Sequence, residues 1–99
     1  MKTFIPAESF VPGEYLRDEL RARGWTQGEF ARIIGRPIQT VNQIVTGKKR
    51  ITAETALAIG EAMGTSAQIW LNLQNSYDLW KAPKPSPAIA KRALALAKN

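Results

Sequence analysis

The chain contains no cysteine and no histidine among its 99 residues. Without thiols it forms no disulfides or thiolate nucleophiles, and without imidazole it lacks the usual zinc ligands and every histidine-based triad. Carboxylates remain as candidates for catalysis, but the neighbours Asp18 and Glu19 would point about 100° apart on a helix and would not converge on one substrate. We therefore expect no catalytic residue, no metal site and no cofactor.

Long apolar runs are also missing. No stretch approaches the roughly 20 apolar residues of a membrane-spanning helix, and the first residues, MKTFIPAESF, lack the continuous apolar region of a secretory signal. The hydrophobic fraction of 44% is nevertheless typical of a globular chain, and the length fits one small domain. These features predict a cytoplasmic protein without a membrane partner.

Acidic residues are absent from the middle of the chain, between Phe30 and Ala53, although the whole sequence has eight acids and a net charge of +6. The cations in this window are Arg32, Arg36, Lys48, Lys49 and Arg50. A solvated basic face is one interpretation of such a window. The other is a surface for an anionic partner, with nucleic acid as the leading candidate.

Glycine and proline divide the sequence into short segments with helical periodicity, which predicts an all-α domain. Thr26 and Glu29 have the spacing of a capping box, and Thr52 and Ser66 are suitable caps for the fourth and fifth helices. We expect the third helix over 38–46 and the fifth over 67–80. Apart from a short extended piece over 3–6, no window alternates as a strand does.

The two ends of the chain differ from this helical body, which we place over 12–82. The first eleven residues form an arm that carries Phe4, Ile5 and Phe10. Residues 83–99 form a flexible or docked tail, in which the proline-rich stretch KAPKPSP is followed by AIAKRALALAK. About three turns are marginal for an isolated helix in water, so this segment is expected to be mobile or docked on a neighbour.

The predicted third helix has two chemically distinct faces. On a helical wheel Ile38, Val41, Ile44 and Val45 share one face, and the opposite face carries Gln39, Thr40, Asn42, Gln43 and Thr46. Side-chain amides offer both a donor and an acceptor, as adenine requires in the major groove, and cations follow where phosphates would lie. This pattern favours a base-reading helix, and a neutral solvated face is the alternative.

A small Ala31 and a Gly35 at the reversal between two helices follow the logic of a helix-turn-helix unit. The stretch TQGEFARIIGRPIQTVNQIVTGKK resembles the XRE class of helix-turn-helix proteins, which share a five-helix fold with lambda-type repressors. By position, the resemblance implies that Thr26 and Gln27 contact phosphate. It also implies that the bases are read by Ile38, Gln39, Thr40, Asn42 and Gln43. Pro37 departs from the Ser or Thr cap that is common in the class, so a capping-type phosphate contact is not expected there.

The complete set of predicted phosphate contacts combines the positions implied by this resemblance with the cations and the hydroxyl around the third helix. Its members are Thr26, Gln27, Arg36, Thr46, Lys48, Lys49 and Arg50.

The resemblance extends beyond this unit. PGEYLRDEL before it, and ITAETALAIGEAMGTSAQIWLNLQNSYDLW after it, resemble the HigA-type (VapI-like) antitoxins, so that the similarity covers about 10–82. This implies a dimer that binds operator DNA with an inverted repeat, represses its own operon and neutralises an RNA-cleaving HigB-like toxin. A stand-alone repressor without a toxin is the first alternative, and a protein-interaction adapter is the second. An upstream reading frame of toxin size would favour the antitoxin.

The predicted fifth helix is more apolar than a one-sided core contact requires. Within about 100° of its circumference it carries Ile69, Trp70, Leu73, Tyr77 and Trp80. We predict that these five residues form the dimer interface, because interface cores are rich in aromatic residues. The alternative is that all of them pack inside the monomer.

Overall fold

A computed structural model describes residues 11–98 of the chain, and these residues form six α-helices and no strand. The helices are α1 (Pro12–Arg23), α2 (Gln27–Ile34), α3 (Ile38–Val45), α4 (Ala53–Met63), α5 (Ala67–Lys81) and α6 (Pro87–Ala95). This confirms the prediction of an all-α fold, and α6 follows the proline-rich stretch. The predicted arm with Phe4, Ile5 and Phe10, and the extended piece over 3–6, lie outside the described residues.

The helix boundaries follow the predicted caps closely. Thr26 and Glu29 form the reciprocal capping box at the start of α2, while Thr52 and Ser66 accept hydrogen bonds from backbone N–H groups at the starts of α4 and α5. Gly35 ends α2 with a φ of +68°, a left-handed conformation that favours glycine and reverses the chain toward α3. No side chain caps the start of α3, as expected for Pro37.

One hydrophobic core is formed by residues of the five helices α1 to α5 and by Ile51 in the loop after α3. Its buried members are Leu16, Leu20, Phe30, Ala31, Val41, Ile44, Val45, Ile51, Ala56, Ile59, Met63 and Trp70. Trp25 precedes the Thr26 cap and stacks on Phe30 with 6.1 Å between ring centroids. These residues occupy the two positions of a hydrophobic staple, which sets the angle at which the chain enters α2.

The start of α1 lies directly against the end of α3. A Cβ atom added to Gly13 would be only 2.0 Å from the carbonyl oxygen of Ile44 and 2.5 Å from that of Val45. Only glycine permits this approach, because the obstacle is backbone rather than a movable side chain. The contact holds the apolar side of α3 inward, and its polar side therefore faces solvent.

The C-terminal helix stands apart from this body. Residues 82–86 connect α5 to α6 without regular structure, and none of the residues of α6 is buried. Contacts between α6 and the other described helices are marginal at most.

Candidate nucleic-acid interface

The exposed side of α3 borders a shallow depression at the start of α2. The depression is about 380 Å³ and is lined by Gln27, Ile38, Gln39, Asn42, Gln43 and Lys48. Four of the five predicted base-reading residues therefore line one concave surface. Two predicted phosphate contacts also line it, Gln27 from α2 and Lys48 from the loop after α3. The fifth, Thr40, is half-buried and lies outside this lining.

Two amides connect α2 to α3 across this surface. Asn42 Nδ2 donates to Gln27 Oε1 over 3.2 Å, which orients both side chains. The side-chain oxygen Oδ1 of Asn42 and the amino group Nε2 of Gln27 make no hydrogen bond to another described residue and are available to a ligand. Ile38, which is 49% exposed, adds an apolar patch beside these amides.

The predicted phosphate contacts differ in how far their polar groups are already used. Thr26 Oγ1 accepts from the backbone N–H of Glu29 at 3.0 Å, and the Thr46 hydroxyl donates to the carbonyl of Asn42 at 2.9 Å. Lys48 and Lys49 are exposed and make no ion pair within the described part of the chain. Among the predicted phosphate contacts, these two lysines are therefore the cations most available to an anionic partner.

Both arginines of the predicted set have carboxylate partners instead. Arg36 lies 3.3 Å from a carboxylate oxygen of Glu54, and Arg50 is paired with Asp78 of α5. An exposed ion pair is worth about 0–1 kcal/mol, so either pair can open at little cost. In this structure, however, the Arg50 side chain points to Asp78 on α5 and not to the amides of α3.

A polar relay that the sequence analysis missed connects this loop to α5. The buried Gln74 accepts from the backbone N–H of Ile51 through Oε1 at 2.7 Å and donates from Nε2 to Asp78 at 2.9 Å. Asp78 in turn accepts a hydrogen bond from the Arg50 guanidinium. The sequence gives no signal for it, because α5 contains several other polar residues and nothing distinguishes Gln74 from them.

The relay also sets the protonation of Asp78. Partial burial acts to raise the pKa of Asp78, but hydrogen bonds from Arg50 and Gln74 outweigh it, together with the charges of Arg50 and Lys81. The pKa consequently lies below its usual value, and the carboxylate stays ionised near neutral pH.

Residues 16–70 match the model of a family described as Helix-turn-helix, and this match covers more than half of the chain. The chain belongs to the helix-turn-helix family. The virulence-associated protein I of Dichelobacter nodosus is 38% identical over 79 residues, which are 79% of this chain and 73% of that protein. This similarity and the solved structures confirm the predicted resemblance to HigA-type (VapI-like) proteins of the XRE class.

Two solved members of the family have closely similar structures. The antitoxin HigA of Pseudomonas aeruginosa, solved with the higBA promoter, is 35% identical with a TM-score of 0.73, covering 92% of this chain and 97% of that one. An addiction module antidote protein of the HigA family from Coxiella burnetii is 32% identical with a TM-score of 0.72, over the same shares of the two chains. The family is one of DNA-binding regulators and antitoxins.

The predicted dimer residues on α5 do not all face the same environment. Ile69 and Trp80 are 51% and 41% exposed, whereas Leu73 and Tyr77 are half-buried. Trp70 was wrongly assigned to the interface: it is 3% exposed in the core, where its Nε1 donates to the Thr65 hydroxyl at 3.0 Å. Its position lies at the edge of the predicted arc nearest to the core-facing Gln74.

Two further properties concern the described residues only. No helix within 11–98 has the length and apolar character needed to cross a membrane. Across the same residues, acidic side chains do not gather into a group that could hold a metal ion.

Proposed function

We propose that this protein is an antitoxin that binds its own operator as a dimer, represses its operon and neutralises a HigB-like RNA-cleaving toxin. The observation that carries the proposal is the exposed depression in which the start of α2, the polar side of α3 and Lys48 come together. An arrangement of neutral amides beside unpaired lysines suits a major groove flanked by phosphates. Similarity to a HigA antitoxin solved with its promoter supports it.

Gln39 and Gln43 are the proposed principal readers of the bases. They lie one helical turn apart, and each amide can pair bidentately with adenine N6 and N7. Ile38 would meet a thymine methyl group near the start of α3, the end that enters the groove in this motif. Asn42, whose side chain is oriented by Gln27, would present its side-chain oxygen Oδ1 as an acceptor. Thr40 would flank this contact.

The phosphates would be held on two sides of the groove. The first turn of α2 offers its N-terminal backbone amides together with Thr26 and Gln27, because the positive end of a helix dipole favours an anion. Lys48 and Lys49 would hold the other side. Arg36, Thr46 and Arg50 would complete the set, and the two arginines would first leave their carboxylate partners.

The dimer is proposed to form through the exposed apolar side of α5. This surface consists of Ile69, Leu73, Tyr77 and Trp80, without Trp70. A two-fold dimer presents α3 twice, so its operator would be an inverted repeat with half-sites about 34–36 Å apart.

The proposal is tested with duplex DNA from upstream of the protein's own gene and a random duplex of equal length. Gln39→Ala and Gln43→Ala should each weaken operator binding by about 1–3 kcal/mol and leave random-DNA binding nearly unchanged. Gln68→Ala on α5, outside the proposed DNA and dimer surfaces, is the matched control. Equal losses on both duplexes would mean that the two amides only position the protein.

The toxin part of the proposal needs a separate experiment. The adjacent reading frame is expressed with and without this protein, and cellular RNA is followed with time. We expect RNA cleavage only when this protein is absent, and co-purification of the two chains when it is present. Operator binding without any effect on RNA would favour the alternative, a stand-alone transcriptional repressor.

A further inference from the structure

The C-terminal part of the chain contains a second stretch without acids. From Leu79 to the end of the sequence there is no Asp or Glu, and the cations in this stretch are Lys81, Lys84, Lys91, Arg92 and Lys98. The acid-free window in the middle of the chain holds five others. The rest of the sequence therefore carries four of the fourteen cations and all eight acids.

Beyond Lys81, whose charge acts on Asp78 and whose Nζ lies 5.2 Å from the centre of the Tyr77 ring, the positive charges of this second stretch are not neutralised by the body of the protein. All five side chains are exposed, and none makes an ion pair within residues 11–98. In the body, by contrast, Arg23, Arg36 and Arg50 each have a carboxylate partner. Like charges held together without counter-charges repel one another, so binding of an anionic polymer would be favourable.

The tail leaves the body of the protein beside the proposed DNA surface, which favours DNA as the anionic polymer. Lys81 and Ala82, at the end of α5, line the same open groove as Lys48 and Lys49, a groove of about 530 Å³. The tail therefore begins beside the loop that is proposed to hold phosphate. A DNA duplex seated on α3 would pass close to this starting point.

The tail is also long enough to follow that duplex. Five linker residues span about 16–18 Å when extended, and the nine residues of α6 add about 13 Å. The sum, roughly 30 Å, corresponds to about nine base pairs along the duplex axis. Because α6 makes at most marginal contact with the body, little has to be broken for it to reach DNA.

We propose that residues 81–98 form a second DNA-binding element that contacts the phosphate backbone flanking the operator without reading sequence. This inference rests on the proposed DNA-binding function and extends it. The tail would lengthen the footprint and increase the salt dependence of binding, while sequence discrimination stays with α3.

The test compares the full-length protein with a full-length variant carrying Lys84→Gln, Lys91→Gln, Arg92→Gln and Lys98→Gln. Binding is measured against salt on three duplexes: the inverted repeat alone, the repeat with ten flanking base pairs on each side, and a random duplex of the longer length. Each lost phosphate contact lowers the log–log slope by about 0.9, so two lost contacts change the affinity ratio roughly twelvefold over a fourfold salt range. We expect this loss on both long duplexes and little change on the short one.

The control variant is Ile89→Ala with Leu96→Ala, which keeps every charge of the tail and should keep the wild-type slope. Equal slopes for the charge variant and wild type on both long duplexes would overturn the proposal. If wild type binds the operator no better than random DNA, the proposed function fails, but the slopes on the random duplex still decide the role of the tail.

A basic helix with apolar residues can also bind a membrane surface. Sedimentation with vesicles of phosphatidylserine and phosphatidylcholine tests that alternative. Vesicle binding that depends on the four cations, together with unchanged DNA slopes, would assign the tail to membranes and overturn its assignment to DNA.

Discussion

Helices α3 and α5 each bury one side in the core and expose another, but the exposed sides differ in chemistry. On α3 the exposed side carries mainly amides and hydroxyls, whereas α5 exposes the large apolar residues Ile69 and Trp80 beside its exposed polar residues. Neutral polar side chains are rarely buried in a core, so the exposure of the polar side of α3 can be predicted from its composition. An apolar helix is ambiguous, because a core and an interface use the same residue types.

The two tryptophans of α5 sharpen this comparison most strongly. Trp70→Ala should lower the free energy of unfolding by about 3–5 kcal/mol, because it leaves a cavity in the core. Trp80→Ala, at a position that is 41% exposed, should cost the monomer much less. Urea unfolding at several protein concentrations measures both effects.

The loss for Trp70→Ala should be independent of protein concentration, whereas that for Trp80→Ala should grow with concentration if Trp80 supports a dimer. Equal, concentration-independent losses would place both rings in the core and remove Trp80 from the proposed interface.

The apolar side of α5 can also be disrupted directly. Ile69→Glu would bring a charge into the proposed interface, where it has no partner, so the dimer should dissociate at least tenfold more readily. Sedimentation equilibrium measures the change, and circular dichroism checks that the helices remain. Gln68→Glu adds the same charge next to this side and should leave assembly intact. A monomeric wild-type protein at micromolar concentration would refute the dimer.

Helix boundaries and the polar side of α3 could be predicted because they depend on local chemistry. Thr26, Glu29, Gly35 and Pro37 act on neighbours within a few residues, and the structure has each in its expected role. The environment of Trp70 could not be predicted in this way. It depends on how α4 and α5 pack, and residues distant in sequence decide which edge of an apolar arc faces the core.

The polar relay was beyond prediction for the same reason. Gln74 and Ile51 are separated by 23 positions, and only the fold brings the amide to the backbone N–H. The acid-free window correctly identified the cations near α3. It could not show that Arg36 and Arg50 would find carboxylates from α4 and α5, which lie outside the window.

The available and the paired cations beside α3 should differ in their contribution to DNA binding. Lys48→Ala should lower the log–log salt slope by about 0.9, because Lys48 has no competing carboxylate among the described residues. Arg50→Ala should lower it by less, since Arg50 exchanges Asp78 for phosphate. Fluorescence anisotropy across a salt series measures both slopes, with Lys91→Ala as a third variant that separates tail from loop. A larger change for Arg50→Ala would show that its ion pair opens freely on DNA.

The smallest expected effect concerns the pH dependence of the Arg50–Asp78 pair. The pKa of Asp78 is lower in the folded chain than its usual value, so its ionised form is bound more favourably in the folded state. The resulting stability is present above the unfolded pKa, near 4, and is lost as pH falls through the lower folded value. The variant Asp78→Asn keeps a similar shape but removes the charge.

At pH 7 the wild type should be slightly more stable than Asp78→Asn, by less than about 1 kcal/mol because the Arg50–Asp78 pair is exposed. Thermal unfolding from pH 7 to pH 2 should show this difference shrinking only below about pH 4. A difference that persists unchanged at pH 2 would mean that the carboxylate acts through its hydrogen bond with Gln74 and not through its charge.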